Sequence, residues 1–538
     1  MKQFVVFLII FFLAVPTTVC SLANMGVVKA SDSSTRDFST DTNTSVRQSS
    51  WTVMIYLDGD IADFMEGAAI DDFNEMEAAP SNPAINVVVQ FDRNPGQDSS
   101  NGNWTTTRRY LVSHDTDPAI INSTMIADLG ELNMGDPTTL VNFVQWAIQD
   151  YPAENYMLIL WDHGSGWRTM ASSFQKSVCA DDSSGGDSLS LQELGNALNL
   201  INMSTGVKLD ILGFDACMMG MLEVDYQIRQ YVDYRVGSEE TEPADGWNYE
   251  AILTALASNP SMNSSELASH IIDDYFIPYG TNGEETMSAT NLNLVNNVIT
   301  AMDTFTQCLV LDVNNASSGT EIIFCRDNTQ LYYDAEFVDL YDFTSRVNGN
   351  PNLPAATKTA ASTLMTAISS YVIDEQHGTA SPGSHGLSIY YPSIQQTYET
   401  QYDSLTFATD TNWNEWLKTG IAVGDVYEPD NTWAQAHGIS VLTSISSERH
   451  TINPEGDKDY YQFSVSSDSL GTYQFYTSGS TDTYGYLYNS TYAELIKDDD
   501  GGAGFNFLIQ YNITASGTYY VMVRGFYDTT TRGSYTIY

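Results

Sequence analysis

The sequence predicts an α/β domain with a mostly parallel sheet flanked by helices, followed by an all-β sandwich, on three observations. Short β-branched runs recur at Thr52–Leu57, Ile85–Phe91, Tyr156–Trp161 and Leu209–Phe214. Near-continuous apolar strands of this kind are buried on both faces, as in a parallel sheet. Helix-like stretches such as IADFMEGAAIDDFNEMEAA and PTTLVNFVQWAIQDY lie between them. After about Gly424 the chain becomes rich in Tyr, Thr, Ser and Gly. There, runs such as DYYQFSVS, GTYQFYTS, YGYLYN, FLIQYNI, TYYVMVRGF and SYTIY alternate with turn signals, the pattern of an antiparallel sandwich of about 110 residues.

A chain of 538 residues is too long for one ordinary core, and 42% hydrophobic and 12% aromatic residues supply two. The boundaries read as a targeting segment at 1–23, a polar linker or pro-segment at 24–50, the α/β domain at 51–422 and the sandwich at 425–538. Lys2, the apolar run Phe4–Val15 and the small residues Ser21–Ala23 have the order of a cleavable export signal. That run is shorter than the roughly 20 residues of a spanning helix, and no later segment is long and apolar enough. The mature protein is therefore expected to lie outside the cytoplasm, secreted or at the cell surface. A net charge of -47 disfavours nucleic acid and anionic membranes and favours a basic polypeptide as partner.

Cys20 leaves with the signal, so four cysteines remain, too few for a disulfide scaffold. Cys308 and Cys325 read as core thiols, the second on a strand-like EIIFC, and a bridge between them has no support in the sequence. The chemistry concentrates elsewhere. In YMLILWDHGSGW an apolar strand delivers His163 at its carboxyl end, followed by Gly164, where a ligand can approach the backbone and the N–H can face an oxyanion. In KLDILGFDACMMGMLEV a second strand ends just before Cys217, at the expected start of a helix, whose dipole would favour the thiolate. Ligands of parallel sheets sit at this end of the strands. A strand-end histidine beside a strand-end cysteine is the constellation of a thiol nucleophile and its base. Asp162, the strand neighbour of His163, points to the opposite face and receives no role.

WTVMIYLDGD, LILWDHGSGW, LDILGFDACMMG and SEETEPADGWNY, in this order between about Trp51 and Ile421, resemble the clostripain family of cysteine peptidases, which has a caspase-like fold. The resemblance implies a catalytic dyad of His163 and Cys217, with Gly164 beside it. It also implies a preference for Arg or Lys on the acyl side of the cut, served by Asp215 and Asp245. A desolvated carboxylate suits a guanidinium, while a neutral side chain would leave it unpaired. Members of the family cleave themselves between His and Cys. Here the only basic residues in that interval before Lys208 are Arg168 and Lys176, and Lys176 is the better candidate. If the interval is merely a loop, Cys179 within it is a surface thiol.

Some members depend on calcium. The chain offers acidic clusters at Asp181-Asp182 and Asp498-Asp499-Asp500, without the spaced ligands of an EF-hand. Seven histidines without paired spacing disfavour zinc. The tail resembles the bacterial pre-peptidase C-terminal domain through YEPDNTWAQA, GDKDYYQFSV and GTYYVMVRG, which implies secretion, substrate or surface binding, or a removable appendage. Ser165 lacks the G-x-S-x-G elbow of a serine nucleophile, and His385 is the alternative base. Two other readings stand beside the basic-specific endopeptidase. One is a caspase-like or legumain-like peptidase of acidic or asparaginyl preference; the other is a catalytically silent surface binding protein.

Overall fold

A computed structural model describes residues 48–538 except 62–64, 169–177, 314–315, 394–397, 421–429, 440–446, 453–455, 480, 528–530 and 532. The targeting segment, most of the polar linker and the junction near Ala422–Asp425 thus lie outside the described residues.

The α/β domain runs β1 (Ser49–Gly59), α1 (Met65–Ala78), β2 (Ile85–Arg93), β3 (Arg108–Leu111), β4 (Thr124–Asp128), α2 (Pro137–Asp150), β5 (Ala153–Trp161), β6 (Val178–Asp181), β7 (Asp187–Leu189), α3 (Leu191–Thr205), β8 (Leu209–Asp215) and α4 (Leu222–Ile228). It continues through β9 (Val232–Gly237), α5 (Tyr249–Ser258), α6 (Ser264–Tyr279), β10 (Thr286–Asn291), α7 (Val295–Val313), α8 (Ala316–Asp327), β11 (Phe337–Asp339), α9 (Leu340–Gly349), α10 (Ala355–Tyr371), β12 (Val372–His377) and β13 (Ser388–Tyr390). The four apolar runs are strands β1, β2, β5 and β8, and β1 begins at Ser49, two residues before the expected point.

Nine strands form one sheet in the order β12-β10-β9-β8-β5-β1-β2-β3-β4. The inner strands β9, β8, β5, β1 and β2 pair in parallel, and only β3 and β10 run against the rest. Alternate side chains of the central strands enter two separate cores. Met54, Tyr56, Leu158 and Leu160 pack with α2, α3, α4, α7 and α10. Val53, Ile55, Leu57, Met157, Ile159 and Trp161 pack with α1, α5 and α6. That double burial explains why these strands read as continuous apolar runs.

Two expectations change. EIIFC is part of helix α8, and Cys308 is on α7. Its β-branched residues are recruited to a helix by packing, as Ile322 and Cys325 enter the core beside Phe343 and Val347. The four described cysteines are free thiols, so Cys308 and Cys325 are not bridged. Cys179 is buried on β6, not a surface thiol.

In the tail, β14 (His437–Gly438), β16 (Lys458–Val465), β18 (Thr483–Tyr488), β19 (Glu494–Asp498) and β21 (Gly517–Gly525) form one sheet. Strands β15 (Glu448–Ile452), β17 (Gly471–Ser478), β20 (Leu508–Ile513) and β22 (Gly533–Ile537) form the other. Tyr461, Phe463 and Val465 from the first meet Phe475, Ile509 and Ile537 from the second in a common core, as a sandwich requires. No helix among the described residues is long and apolar enough to cross a membrane.

Beneath the carboxyl end of the sheet, a fully buried ion pair joins α4 to β9. Arg235 donates to Asp225 through Nε (2.8 Å) and Nη2 (3.2 Å), and neither side chain is exposed. Tyr371 and Thr290 hydroxyls donate to the same carboxylate at 2.7 and 3.0 Å, and Ser288 receives the remaining guanidinium face. Removing one partner strands the other charge in the core. Asp225→Ala should therefore cost about 3–5 kcal/mol of stability. Urea unfolding would show this as a lower midpoint at unchanged slope, and a loss below about 1 kcal/mol would show that Arg235 is not dependent on this carboxylate.

Candidate active site

Strands β5 and β8 are paired in register as far as Trp161 and Asp215. The Asp162 N–H continues the pairing by donating to the Asp215 carbonyl at 3.2 Å. One residue later come His163 and, two after Asp215, Cys217. Both line one cleft at the carboxyl edge of the sheet, together with Asp215, Glu242, Gly246 and the apolar walls Met65 and Trp161. Its volume is about 160 Å³.

Gly164 shows how tightly the two turns meet. A Cβ there would lie 2.3 Å from the Cys217 carbonyl oxygen and 3.0 Å from its nitrogen. The room that Gly164 leaves is thus taken by the backbone of Cys217, whereas the sequence reading gave it to a ligand. Ser165 is buried and its hydroxyl donates to the Arg168 carbonyl at 3.0 Å, a structural bond. Asp162 is buried, and its carboxylate accepts the Ala180 N–H on β6.

Cys217 is not at a helix start. Helix α4 begins at Leu222, five residues on, after a turn that is stitched to the segment following β9. Met218 N–H donates to Glu240 O (2.9 Å), Gly220 N–H to Ser238 O (2.6 Å), and Glu242 N–H to Cys217 Sγ (3.3 Å). Met218 itself adopts a left-handed φ of 59°, a conformation that a non-glycine residue keeps only where its surroundings over-determine it. Burial pushes the Cys217 thiol up to about 12, and the carboxylates of Glu242 and Glu240 add to the effect. Both effects favour the thiol over the thiolate.

The acid side of the cleft is built from three segments. Asp215 accepts from the Tyr249 hydroxyl (2.8 Å) and the Trp247 N–H (3.2 Å). Gly213 on β8 has no Cβ because the Trp247 ring stands 2.6 Å from where it would be. Trp247 Nε1 in turn donates to Glu242 at 3.2 Å. Asp72 of α1, buried, accepts from Trp161 Nε1 at 2.6 Å. Gly246, at φ 53°, sits over Asp215 and Asp72 where a Cβ would be within 3.1 Å of both. Burial pushes Asp215 up to about 7, and burial with the Asp215 charge raises Glu242 as well, so the two carboxyls titrate as a pair that favours holding a proton.

The Asp245 carboxylate is exposed to solvent, while its neighbours Ala244 and Gly246 line the cleft. Glu242 and Asp72 were not singled out from sequence. The signal for Glu242 was the density of carboxylates in SEETEPADGWNY beside a Trp and a Tyr; for Asp72 there was none. His385 lies outside the cleft lining, stacked on Tyr341 with ring centroids 4.4 Å apart and its Nδ1 3.4 Å from Asp339. Lys176 lies outside the described residues. Arg168 is buried, its guanidinium held by Asp334, Glu336 and Glu399. In the tail, Asp498 accepts from the N–H groups of Gly501 and Leu508, as a turn cap does.

A sequence profile of the clostripain family matches residues 55–419. Clostripain of Hathewaya histolytica is 25% identical over 413 residues, a match covering 66% of this chain and 76% of the relative. A secreted C11 cysteine protease from Bacteroides thetaiotaomicron, solved with an irreversible peptide inhibitor, superposes with a TM-score of 0.50 at 20% identity. The match covers 69% of this chain and 99% of that one. An inactive zymogen C11 protease from Parabacteroides distasonis gives a TM-score of 0.50 at 19% identity, over 68% and 98% of the two chains. On the match of the profile to most of its length, the chain belongs to the clostripain family and is a cysteine peptidase with a caspase-like fold.

Proposed function

We propose that this cysteine peptidase is an exported endopeptidase that cuts after Arg or Lys, with Cys217 as nucleophile and His163 as base. The observation that carries the reading is a single cleft in which Cys217 and His163 meet the carboxyls of buried Asp215 and half-buried Glu242. A guanidinium or ammonium entering it takes the place of the proton that the pair favours holding and satisfies both carboxylates. Asp245, at the mouth, attracts the same cation from solvent. An aspartyl side chain would meet only like charge, which disfavours the acidic alternative.

The order of events follows from the electrostatics. The same carboxylate that binds the substrate cation is among the groups that hold the Cys217 proton in place. Neutralising it by binding lowers the cost of forming the thiolate. His163 then takes the proton, the sulfur attacks the scissile carbonyl, and the N–H groups of Gly164 and Cys217 face the oxyanion. His163 returns the proton to the leaving amine, and water hydrolyses the acyl-enzyme. Self-cleavage after Lys176 would precede this cycle, since Arg168 is sequestered by its ion pairs. The segment 1–23 serves export, and the sandwich, resembling a pre-peptidase C-terminal domain, serves attachment at the cell surface.

Peptides ending in Arg, Lys, Asn or Asp before a fluorogenic group test the reading directly. Cleavage after Arg and Lys is expected, with none by Cys217→Ala, which should also remain one chain on a denaturing gel. Equal turnover by the variant, or cleavage after Asp alone, would overturn the assignment. Asp215→Asn should lower kcat/KM for the arginyl peptide about 10–100-fold, the worth of one charge-assisted hydrogen bond. With Asp215 near 7, the wild-type pocket is neutral below that pH and anionic above it. KM for the arginyl peptide should therefore fall as pH rises from 6 to 8, and that slope should vanish in Asp215→Asn. A small guanidinium such as ethylguanidinium should speed alkylation of Cys217 by iodoacetamide; simple obstruction of the cleft predicts slowing.

A further inference from the structure

We propose that the groove between α1 and the loop joining β3 to β4 is an exosite that holds a cationic stretch of the polypeptide substrate, away from the residue at the cut. The proposal rests on the peptidase reading of the cleft and adds a second contact to it. The groove has a volume of about 440 Å³. Asp71, Glu75 and Glu77 of α1, Asp115 and Asp117 of the loop and Glu250 of α5 line it, and no lysine or arginine does. Backbone N–H groups orient three of these carboxylates without neutralising them: Tyr249 donates to Glu75 (3.0 Å), Thr116 to Asp115 (2.8 Å) and Ala119 to Asp117 (3.1 Å).

Helix α1 carries these charges at a cost to itself. Asp71 and Glu75 stand at i and i+4, a like-charge pair that weakens a helix. Glu75 and Glu77 occupy the last turn, where the helix dipole favours cations, and no basic residue is present there. A second observation points to what the groove lacks. Glu77 is 2% exposed, its Oε1 accepts the Ser123 N–H at 2.5 Å, and its Oε2 has no hydrogen-bond partner. Asn74, on the same wall, donates through Nδ2 to the Ile70 carbonyl at 2.7 Å, while its Oδ1 is buried without a partner. Native proteins rarely leave such groups unpaired. Both orphans are acceptors, so the missing partner is a donor.

The groove is tied to the cleft. Tyr249 binds Glu75 through its N–H and Asp215 through its hydroxyl (2.8 Å), so one residue orients an acid in each. Burial raises the carboxyls of Asp71 and Glu75, and like charges add to it, Asp245 for Asp71 and Glu250 for Glu75. The acids thus continue from the cleft mouth at Asp245 through Asp71 into the groove. Carboxylates spread over three segments suit a string of ammonium or guanidinium groups on flexible stems. A single ion would need oxygens gathered about a point; among the described residues that occurs at Asp60, Asp92, Glu131 and Asp181, none of which lines the groove.

The test mounts a short D-lysine arm, or a Gly-Ser arm of equal length, on either side of a quenched arginyl peptide and compares the pairs on the full-length enzyme. D-Lysine carries the charge and resists cleavage. On one side of the cut the D-lysine arm should lower KM about tenfold at low salt, about twofold for each of three exposed ion pairs, with kcat unchanged. The advantage should fade at high salt. Asp71→Asn, Asp117→Asn and Glu250→Gln together, all at exposed positions, should remove it. Asp468→Asn, Glu494→Gln and Asp500→Asn in the sandwich, an equal change of charge at exposed positions, should keep it. A D-lysine arm without advantage on either side, an advantage that survives the groove substitutions, or one lost equally to the sandwich substitutions would each overturn the exosite. A labelled D-lysine peptide titrated onto Cys217→Ala and followed by anisotropy reads the groove without turnover, and there the groove substitutions should weaken binding about tenfold. If the arginyl peptide is not cut, the acyl-side reading fails and this titration still decides the exosite, which binding indifferent to the groove substitutions would sink.

Discussion

Strands β5 and β8 run parallel and in register to Trp161 and Asp215, so the turns that follow them share one narrow edge of the sheet. Gly164 has to be a glycine there because its Cβ would strike the Cys217 carbonyl. Gly220 is constrained in the same way by the Ser238–Glu239 peptide, 2.7–2.8 Å from its Cβ position. Between these contacts Met218 is held in a left-handed conformation that costs of order 1 kcal/mol. The cost is met by the hydrogen bonds to Glu240 and Ser238 on either side. A sulfur held this way has little freedom, and positional rigidity is what a nucleophile needs more than intrinsic reactivity.

The second organising feature is where the chain places cations among its buried acids. Asp225 has Arg235, and Glu66 has Arg93, whose Nε lies 2.7 Å from it. Asp215, Glu242 and Asp72 meet aromatic N–H and O–H groups instead, which orient the carboxyls without neutralising them. Aromatic donors are weak competitors for a carboxylate compared with a guanidinium. The cleft is thus finished in shape and unfinished in charge, a difference that distinguishes a binding site from an internal ion pair. With 21 basic against 68 acidic residues, the chain has few cations to spend, and those it buries lie in the scaffold.

Periodicity was enough to read the central sheet, because strands covered on both faces carry their signal in consecutive residues. The same logic misread EIIFC, where Ile322, Ile323 and Cys325 lie on a helix buried on nearly all sides, so that its apolar run carries no helical period. The short strands β3 and β4 at one end of the sheet left little trace; β4, the edge strand, is largely exposed and has no apolar demand to meet. At the site, the residues legible in sequence were those at strand ends. Asp72 was illegible because its partner Trp161 is 89 positions away. Proximity in sequence exposed Asp181-Asp182, yet only Asp181 lies in a group of carboxylates, with Asp60, Asp92 and Glu131.

The displacement of Cys217 from the helix start has a chemical consequence. A thiol at a helix N-terminus is biased toward thiolate whether or not substrate is present. Here burial and neighbouring carboxylates bias it the other way. Thiolates, not thiols, are what oxidants and metals attack. On the proposed assignment, a sulfur that stays protonated until a cation fills the adjacent pocket is protected while idle. On the same proposal selectivity acts twice, once in binding the basic side chain and again in releasing the proton. A neutral side chain of equal size could occupy the cleft and still leave Cys217 unreactive, so discrimination on this account falls on kcat as well as on KM.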